Sequence, residues 1–175
     1  MLKIKSFCGG YDHNFCYLIY DDETSEAAII DTAIELNIIM PFIKQNNLKL
    51  KFSIVMHGHF DHKVGLDFYR ENRITLIASE KSKENVDIKV KDNDELQLGN
   101  YKLKIIYTPG HIYDAICVLV DNKLFTSDTL FIDTIGTCRL PGANREEIYD
   151  SLYNKLLKLP EEVVVYSGHD YGPTK

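Results

Sequence analysis

The chain has 175 residues, of which 45% are hydrophobic and 26% charged, with a formal net charge of −6 at pH 7. This length and composition are typical of a soluble globular protein, and we expect one domain over residues 1–175. The acidic balance argues against nucleic acid as a partner, because proteins that bind it usually present a basic face. With neither a bilayer-length apolar run nor a secretory signal, we predict a cytoplasmic protein that does not bind membranes.

Strands dominate the first half of the chain. The segments LKIKSF, NFCYLIYD and EAAIID are predicted strands, and the polar turn DDETS separates the second from the third. Residues 34 to 47 have the apolar spacing of a helix, with Pro41 in its first turn or at a kink. The apolar segment KFSIVM then predicts a buried strand over 51 to 56.

The second half repeats this organisation. ITLIAS is a short predicted strand, and two hairpins are predicted around the turns Gly99-Asn100 and Asp121-Asn122. Residues 144 to 159 predict a helix capped by Asn144, and VVVYSGHD predicts a last strand. Strands in groups with helices between them predict packed sheets that are covered on the outside by helices.

The four cysteines show no CxxC pairing, and we predict no disulfide in a cytoplasmic protein. Cys8 and Cys117 lie in apolar, strand-like runs. Free cysteine in such a run usually behaves as a small buried hydrophobic residue, so we expect both to be buried.

Three of the six histidines stand in the segment HGHFDH at positions 57 to 62. His57 and His59 lie two residues apart, so in an extended segment their side chains point the same way, while Asp61 and His62 face a neighbouring point. The small Gly58 between the two histidines allows close approach of the backbone. Imidazole and carboxylate groups suit zinc, iron or manganese, and this cluster therefore predicts a metal site.

Three more candidate ligands follow predicted strands. His111 comes after KLKIIY and TPG, Asp128 after KLFTS, and His169 after VVVYSG. Loops at the carboxyl ends of strands commonly carry the chemistry of layered α/β proteins. This placement favours a metal site over a chance surface cluster of histidines, and it leaves only His13 outside the site.

The segments HGHFDH, TPGH, SD and GH, in this order, resemble the metallo-β-lactamase superfamily. The resemblance implies an α/β fold, a four-layer αββα sandwich with two divalent metal ions at one edge. Zinc is the expected metal, with iron or manganese as alternatives. It also implies a ligand set in which Asp128 bridges the two ions. The first ion would bind His57, His59 and His111, and the second Asp61, His62 and His169.

Within the superfamily, SDTLFIDTIGTCRLPGAN resembles the hydroxyacylglutathione hydrolases, or glyoxalase II-like enzymes. This resemblance implies hydrolysis of a thioester such as S-lactoylglutathione by a hydroxide shared between the two metals, with Asp61 orienting it. A thiolate leaves with little protonation, because a thiol has a pKa near ~8.5. The family's basic pattern after Gly136 is displaced here, since Thr137 and Cys138 precede Arg139. We predict that Arg139 contacts an anionic thiol carrier; the alternative is a surface arginine.

Other interpretations remain open. The ending GHDY resembles persulfide dioxygenases, which would hold one iron on His57, His111 and Asp128, although 136 to 139 read Gly-Thr-Cys-Arg where that family has Gly-Arg-Thr-Asp. A non-enzymatic metal-binding protein would usually lose ligands, and homo-oligomers are compatible with the sequence. Asp31 is interpreted as a turn residue or a support behind the ligands. Tyr107, Tyr113 and Tyr171 are candidates for lining a substrate pocket, with ordinary packing as the alternative.

Overall fold

The apolar, β-branched segments of the chain form two sheets in the computed structural model, which describes residues 1–171. The first sheet contains, in spatial order, β1 (Leu2–Gly9), β2 (Asn14–Asp21), β3 (Glu26–Ile30), β4 (Lys49–Val55), β5 (Thr75–Ser79) and β6 (Ile88–Val90). The second contains β11 (Val164–Ser167), β10 (Lys123–Ser127), β9 (Ile116–Val120), β8 (Tyr101–Tyr107) and β7 (Glu95–Leu98).

Strand direction decides where the loops meet. β3 and β4 are parallel, so the residues that follow them emerge at one edge of the first sheet. In the second sheet β9 is antiparallel to both β8 and β10, and β11 is parallel to β10. The strands β8, β10 and β11 therefore run in the same direction. The segments that follow these three strands consequently emerge at one edge of the second sheet.

Three apolar clusters separate four layers. The cluster between the sheets includes Ile30, Ile54, Leu103 and Phe125. Helices α1 (Leu36–Gln45) and α2 (Leu66–Glu71) cover the outer face of the first sheet, where Ile39 and Tyr69 are fully buried. Helix α3 (Arg145–Asp150) continues through a π-helical turn (Ser151–Lys155) and a 3-10 turn (Leu156–Lys158), and this segment covers the second sheet. The predicted αββα sandwich is confirmed.

Most predicted elements are present with small shifts at their ends, but two elements were not predicted and one burial prediction was wrong. Helix α2 and strand β6 have only 6 and 3 residues, too few to show a period in the sequence. Cys8 is exposed, whereas Cys117 is buried as expected. Cys8 lies near the end of the edge strand β1, where the alternation of apolar residues breaks down. Among the described residues, no helix has the length and hydropathy that a bilayer crossing requires.

The start of α3 depends on Asn144, as the sequence predicts. Its side-chain oxygen accepts hydrogen bonds from the backbone N–H groups of Glu146 and Glu147, at 2.9 and 3.3 Å. We expect Asn144→Ala to lower the free energy of unfolding by about 1 kcal/mol, because these donors lose their acceptor. Asn144→Ser, which keeps a capping oxygen, should lose much less. Urea denaturation measures the difference, and equal midpoints for the two variants would contradict this role of the cap.

Candidate metal centre

The seven predicted metal ligands meet at the edge where the two sheets open. His57 and His59 follow β4, and Asp61 and His62 lie in a 3-10 turn, Phe60–His62, directly after them. The other three come from the segments that follow the co-directional strands of the second sheet, and they are His111, Asp128 and His169. The topology therefore brings together residues separated by more than 100 positions in the sequence.

Three imidazole nitrogens converge in the first cluster. Nδ1 of His59 lies 3.2 Å from Nε2 of His57 and 2.9 Å from Nε2 of His111. Oδ2 of Asp128 is 3.6 Å from Nε2 of His111. These four residues each offer one ligand atom to a common point, as a metal ion requires.

A second cluster lies on the other side of Asp128. Nε2 of His62 and Nε2 of His169 are 3.0 Å apart, and Oδ2 of Asp61 is 3.4 Å from each of them. Oδ1 of Asp128 is 3.2 Å from Nε2 of His62 and 3.4 Å from Nε2 of His169. The two carboxylate oxygens of Asp128 therefore face different clusters, which is the placement expected of a bridging ligand.

In three of the histidines, a hydrogen bond from Nδ1 orients the ring so that Nε2 faces the cluster. Nδ1 of His62 donates to Oδ2 of Asp31 at 2.7 Å, and Nδ1 of His169 donates to the carbonyl oxygen of Asp12 at 2.7 Å. Nδ1 of His111 donates to the carbonyl oxygen of Thr137 at 2.9 Å. Because carbonyl and carboxylate oxygens only accept, each Nδ1 carries a proton, and Nε2 is the nitrogen that faces the cluster and offers its lone pair once the ring is neutral.

Asp31 extends this arrangement to His57. The hydroxyl of Ser127 donates to Oδ2 of Asp31 at 2.8 Å, and its oxygen lies 3.2 Å from Nδ1 of His57. With its hydrogen committed to Asp31, Ser127 accepts the Nδ1 proton of His57. Asp31 itself adopts a positive φ of 71° at the end of β3 and is buried, so it combines a turn conformation with support of the ligands.

The donor set fits divalent cations. Oδ1 of Asp128 is buried and has no hydrogen-bond partner among the described residues, which is costly unless a cation lies against it. Burial is the main influence that lowers the pKa of His57, His59 and His111, and it keeps these rings neutral. Burial alone would also lower the pKa of His169, but the neighbouring carboxylates of Asp128 and Asp61 outweigh it and raise that pKa to about 10. The second cluster thus favours positive charge.

Two supporting residues have no motif of their own in the sequence. Asn14 is fully buried, and its amide nitrogen donates to Oδ2 of Asp61 at 3.0 Å. Asp114 is buried beside the histidine segment, and its Oδ1 accepts a 3.2 Å hydrogen bond from the backbone N–H of Gly58. A Cβ at position 58 would lie 2.9 Å from the Asp114 carboxylate, which explains why glycine separates the two histidines. A polar residue at a strand start or in a loop gives no sequence signal for either role.

A cavity of about 680 Å³ opens over both clusters. Its wall is largely apolar and includes Phe60, Phe131, Ile135, Leu140 and Tyr171. Tyr171 is one of the three tyrosines predicted to line a pocket, and its ring stacks on His169 with centroids 4.6 Å apart. The other two contact each other instead, since the hydroxyl of Tyr107 donates to the carbonyl oxygen of Tyr113. Arg139 is exposed and lines a neighbouring cavity rather than this one.

No family model matches the chain, but individual proteins do. The hydroxyacylglutathione hydrolase of Francisella tularensis subsp. novicida is 35% identical over 164 residues, which are 90% of this chain and 63% of that protein. A probable hydroxyacylglutathione hydrolase of Schizosaccharomyces pombe is 32% identical over 98% of this chain and 69% of its own length. A probable polyketide biosynthesis zinc-dependent hydrolase, PksB of Bacillus subtilis, is 29% identical over 91% of this chain and 74% of its own length.

Solved structures with the same architecture include ETHE1 from Myxococcus xanthus, with a TM-score of 0.90 and 27% identity over 97% of this chain and 76% of that one. BLEG-1 B3 metallo-β-lactamase has a TM-score of 0.87 and 25% identity, over 98% of this chain and 92% of that one. Both cover nearly all of the present chain. By contrast, the chain spans only 63% of the length of the Francisella relative.

The support from Asp31 can be tested by changing its charge and little else. Asp31→Asn keeps the size of the side chain and tolerates the positive φ. It removes the carboxylate that accepts hydrogen bonds from His62 and Ser127. We expect zinc affinity, measured by competition with a chelating dye, to fall about 10–100-fold. Asp121→Asn is the matched control, since Asp121 also has a positive φ but lies in an exposed turn. Unchanged affinity in Asp31→Asn would show that the carboxylate does not support the ligands.

Proposed function

Because the chain belongs to the glyoxalase II-like branch of the metallo-β-lactamase superfamily, we propose that it is a metal-dependent hydrolase of thioesters. The substrate class is S-lactoylglutathione or a related hydroxyacyl thioester. The observation that carries the proposal is the convergence of two complete ligand clusters on the two oxygens of Asp128, beneath an accessible cavity.

In this proposal His57, His59 and His111 hold one ion, and Asp61, His62 and His169 hold the other, with Asp128 shared. Two divalent ions, when bound, supply a water of lowered pKa as nucleophile and positive charge opposite the developing oxyanion. Zinc is the proposed metal, supported by the imidazole-rich ligands and by the zinc dependence in the name of the Bacillus relative.

Asp61 orients the nucleophile. Burial would raise its pKa, but the contacts of Asp61 with His169, His62 and Asn14 hold the pKa well below its usual range. Asp61 is therefore ionised at neutral pH and accepts hydrogen bonds without donating a proton. The Asn14 amide fixes Oδ2, at 3.0 Å, and so sets the direction in which the carboxylate accepts.

The cavity is poorly equipped to protonate a leaving group. Apart from the proposed ligands, Tyr171 is the one described lining residue that could act as an acid. Its hydroxyl donates a hydrogen bond to Oδ2 of Asp12 at 2.7 Å. Burial and that hydrogen bond raise the pKa of Tyr171 above its ordinary value. Expelling an amine needs a proton in the transition state, and expelling a thiolate hardly does. This difference supports a thioester over an amide as the substrate.

The dioxygenase interpretation uses only part of what the fold brings together. A single iron on His57, His111 and Asp128 would use only the first cluster. Asp61, His62 and His169 would then converge around a point that holds no metal ion. Asn14 and Asp31 also orient members of that second set, at 3.0 and 2.7 Å. The supported second cluster therefore favours the hydrolase.

The choice of leaving group is tested with matched acyl compounds. We expect the zinc-loaded protein to hydrolyse S-lactoylglutathione at least about 10²-fold faster than the isosteric amide, because no general acid assists departure of the amine. Rates are compared as kcat/KM at neutral pH, with EDTA-treated protein as the blank. Similar values for the two compounds would exclude the thioester assignment.

His169 separates the two interpretations. His169→Ala removes one ligand of the second cluster and leaves the three residues of the single-iron site intact, so we expect one zinc per chain in place of two and a loss of thioester hydrolysis of at least about 10²-fold. Metal content is measured by mass spectrometry on protein with a native circular dichroism spectrum. His57→Ala, which should disable either enzyme, is the companion variant, and His13→Ala, outside the clusters, is the control. Full metal content and full hydrolysis in His169→Ala would refute the two-metal assignment.

A further inference from the structure

A second cavity adjoins the metal centre and differs from it in charge. It has a volume of about 540 Å³ and shares Ile135 and Thr137 with the cavity over the metals. The described residues that line the metal cavity include carboxylates but no lysine or arginine. The lining of the second cavity has the opposite character, with Arg139 and Arg145 and no carboxylate. In a chain of net charge −6, the charged side chains that line this cavity are thus both positive.

The two guanidinium groups are available to a ligand. Both residues are exposed, and within residues 1–171 neither forms a salt bridge with a carboxylate, whereas Arg70 pairs with Asp67 and Glu84. Arginine binds phosphate oxygens through paired N–H donors. The unpaired guanidiniums therefore suit an anion, and a phosphate above all.

An aromatic surface completes the cavity. Tyr149 and Tyr153 stack on one another, with centroids 4.4 Å apart and ring planes at 25°. They remain 60% and 52% exposed, although they form part of the wall. The pair spans the point where α3 passes into its π-helical turn, a local irregularity that often marks functional positions. An exposed stack of this kind offers a face to a planar ring.

We propose that this second cavity binds the adenine-nucleotide end of the thiol carrier, as in coenzyme A, while the thioester lies over the metal centre. This inference rests on the proposed thioesterase function and specifies its carrier. Phosphate pairs with Arg139 and Arg145, and adenine stacks on the tyrosines. Glutathione would supply carboxylates but no ring, and it would leave the aromatic surface unused.

The first experiment keeps the acyl group constant and changes the carrier. Lactoyl thioesters of coenzyme A, pantetheine and glutathione are compared on the zinc-loaded protein. We expect the KM for the coenzyme A ester to be at least about tenfold below that of the pantetheine ester, which lacks the nucleotide but keeps the reacting group. Equal KM values for these two esters, or a lower KM for the glutathione ester, would overturn the nucleotide assignment while leaving the thioesterase function intact.

Variants locate the effect in the cavity. Arg139→Gln, Arg145→Gln and Tyr149→Ala should each raise KM for the coenzyme A ester about tenfold with kcat nearly unchanged, because they remove binding that is uniform along the reaction. Their kinetics with the pantetheine ester should match those of the parent protein. Arg73→Gln, which removes the same charge from the exposed segment between α2 and β5, is the matched control and should change neither. Equal losses on both esters would show a structural defect and overturn the assignment.

A binding measurement separates this proposal from the hydrolysis itself. Calorimetric titration of the zinc-loaded protein with ADP should give saturable binding that Arg139→Gln and Arg145→Gln weaken and Arg73→Gln does not. Such binding in a protein that cleaves none of the three thioesters would support the nucleotide pocket and refute the thioesterase function. Thioester cleavage without ADP binding would refute the pocket alone.

Discussion

The carboxylate of Asp31 is the constraint on which the metal centre depends. Its Oδ2 accepts a hydrogen bond from Nδ1 of His62 and another from the hydroxyl of Ser127. The oxygen of Ser127 in turn accepts a hydrogen bond from Nδ1 of His57. One buried oxygen therefore sets the tautomers of a ligand in each cluster. Since Asp31 follows β3 of the first sheet and Ser127 ends β10 of the second, the same interaction joins the two sheets where they open. The position of the sheets and the chemistry of the site are thus fixed together.

The periodic parts of this arrangement could be predicted from the sequence. Alternating apolar strands and the helix after Asn144 have strong local signals, and the resemblance of the four motifs gave the layer order. The ligand residues could be proposed because imidazoles and carboxylates recur directly after strands. Helix α2 is too short to show a period, and the exposure of Cys8 depends on which neighbours lie beyond the edge strand.

The supporting residues could not be predicted for a different reason. Asn14 and Asp114 are single polar residues, and each acquires a role only when the fold places it against a segment far away in the sequence. Asn14 reaches Asp61 across 47 positions and Asp114 reaches Gly58 across 56. A supporting role for Asp31 could be proposed from its place after a strand. Its contact with Ser127, 96 positions away in the sequence, could not. Residues of this kind are identified from the structure, by their burial and their hydrogen bonds.

The charge distribution around the site has a further consequence for substrate orientation. The floor of the metal cavity holds two aspartates and three histidines, its wall is largely apolar, and no lysine or arginine is among its described lining residues. The neighbouring cavity places two unpaired guanidiniums on the far side of Ile135 and Thr137. In the proposed binding mode the anionic carrier pairs with these arginines, and the thioester carbonyl lies over the metal centre. Thr137 couples the two regions, because its carbonyl oxygen orients His111 while its residue forms part of both walls. In the proposed function, the loop after Asp128 therefore serves both the orientation of His111 and the binding of the carrier.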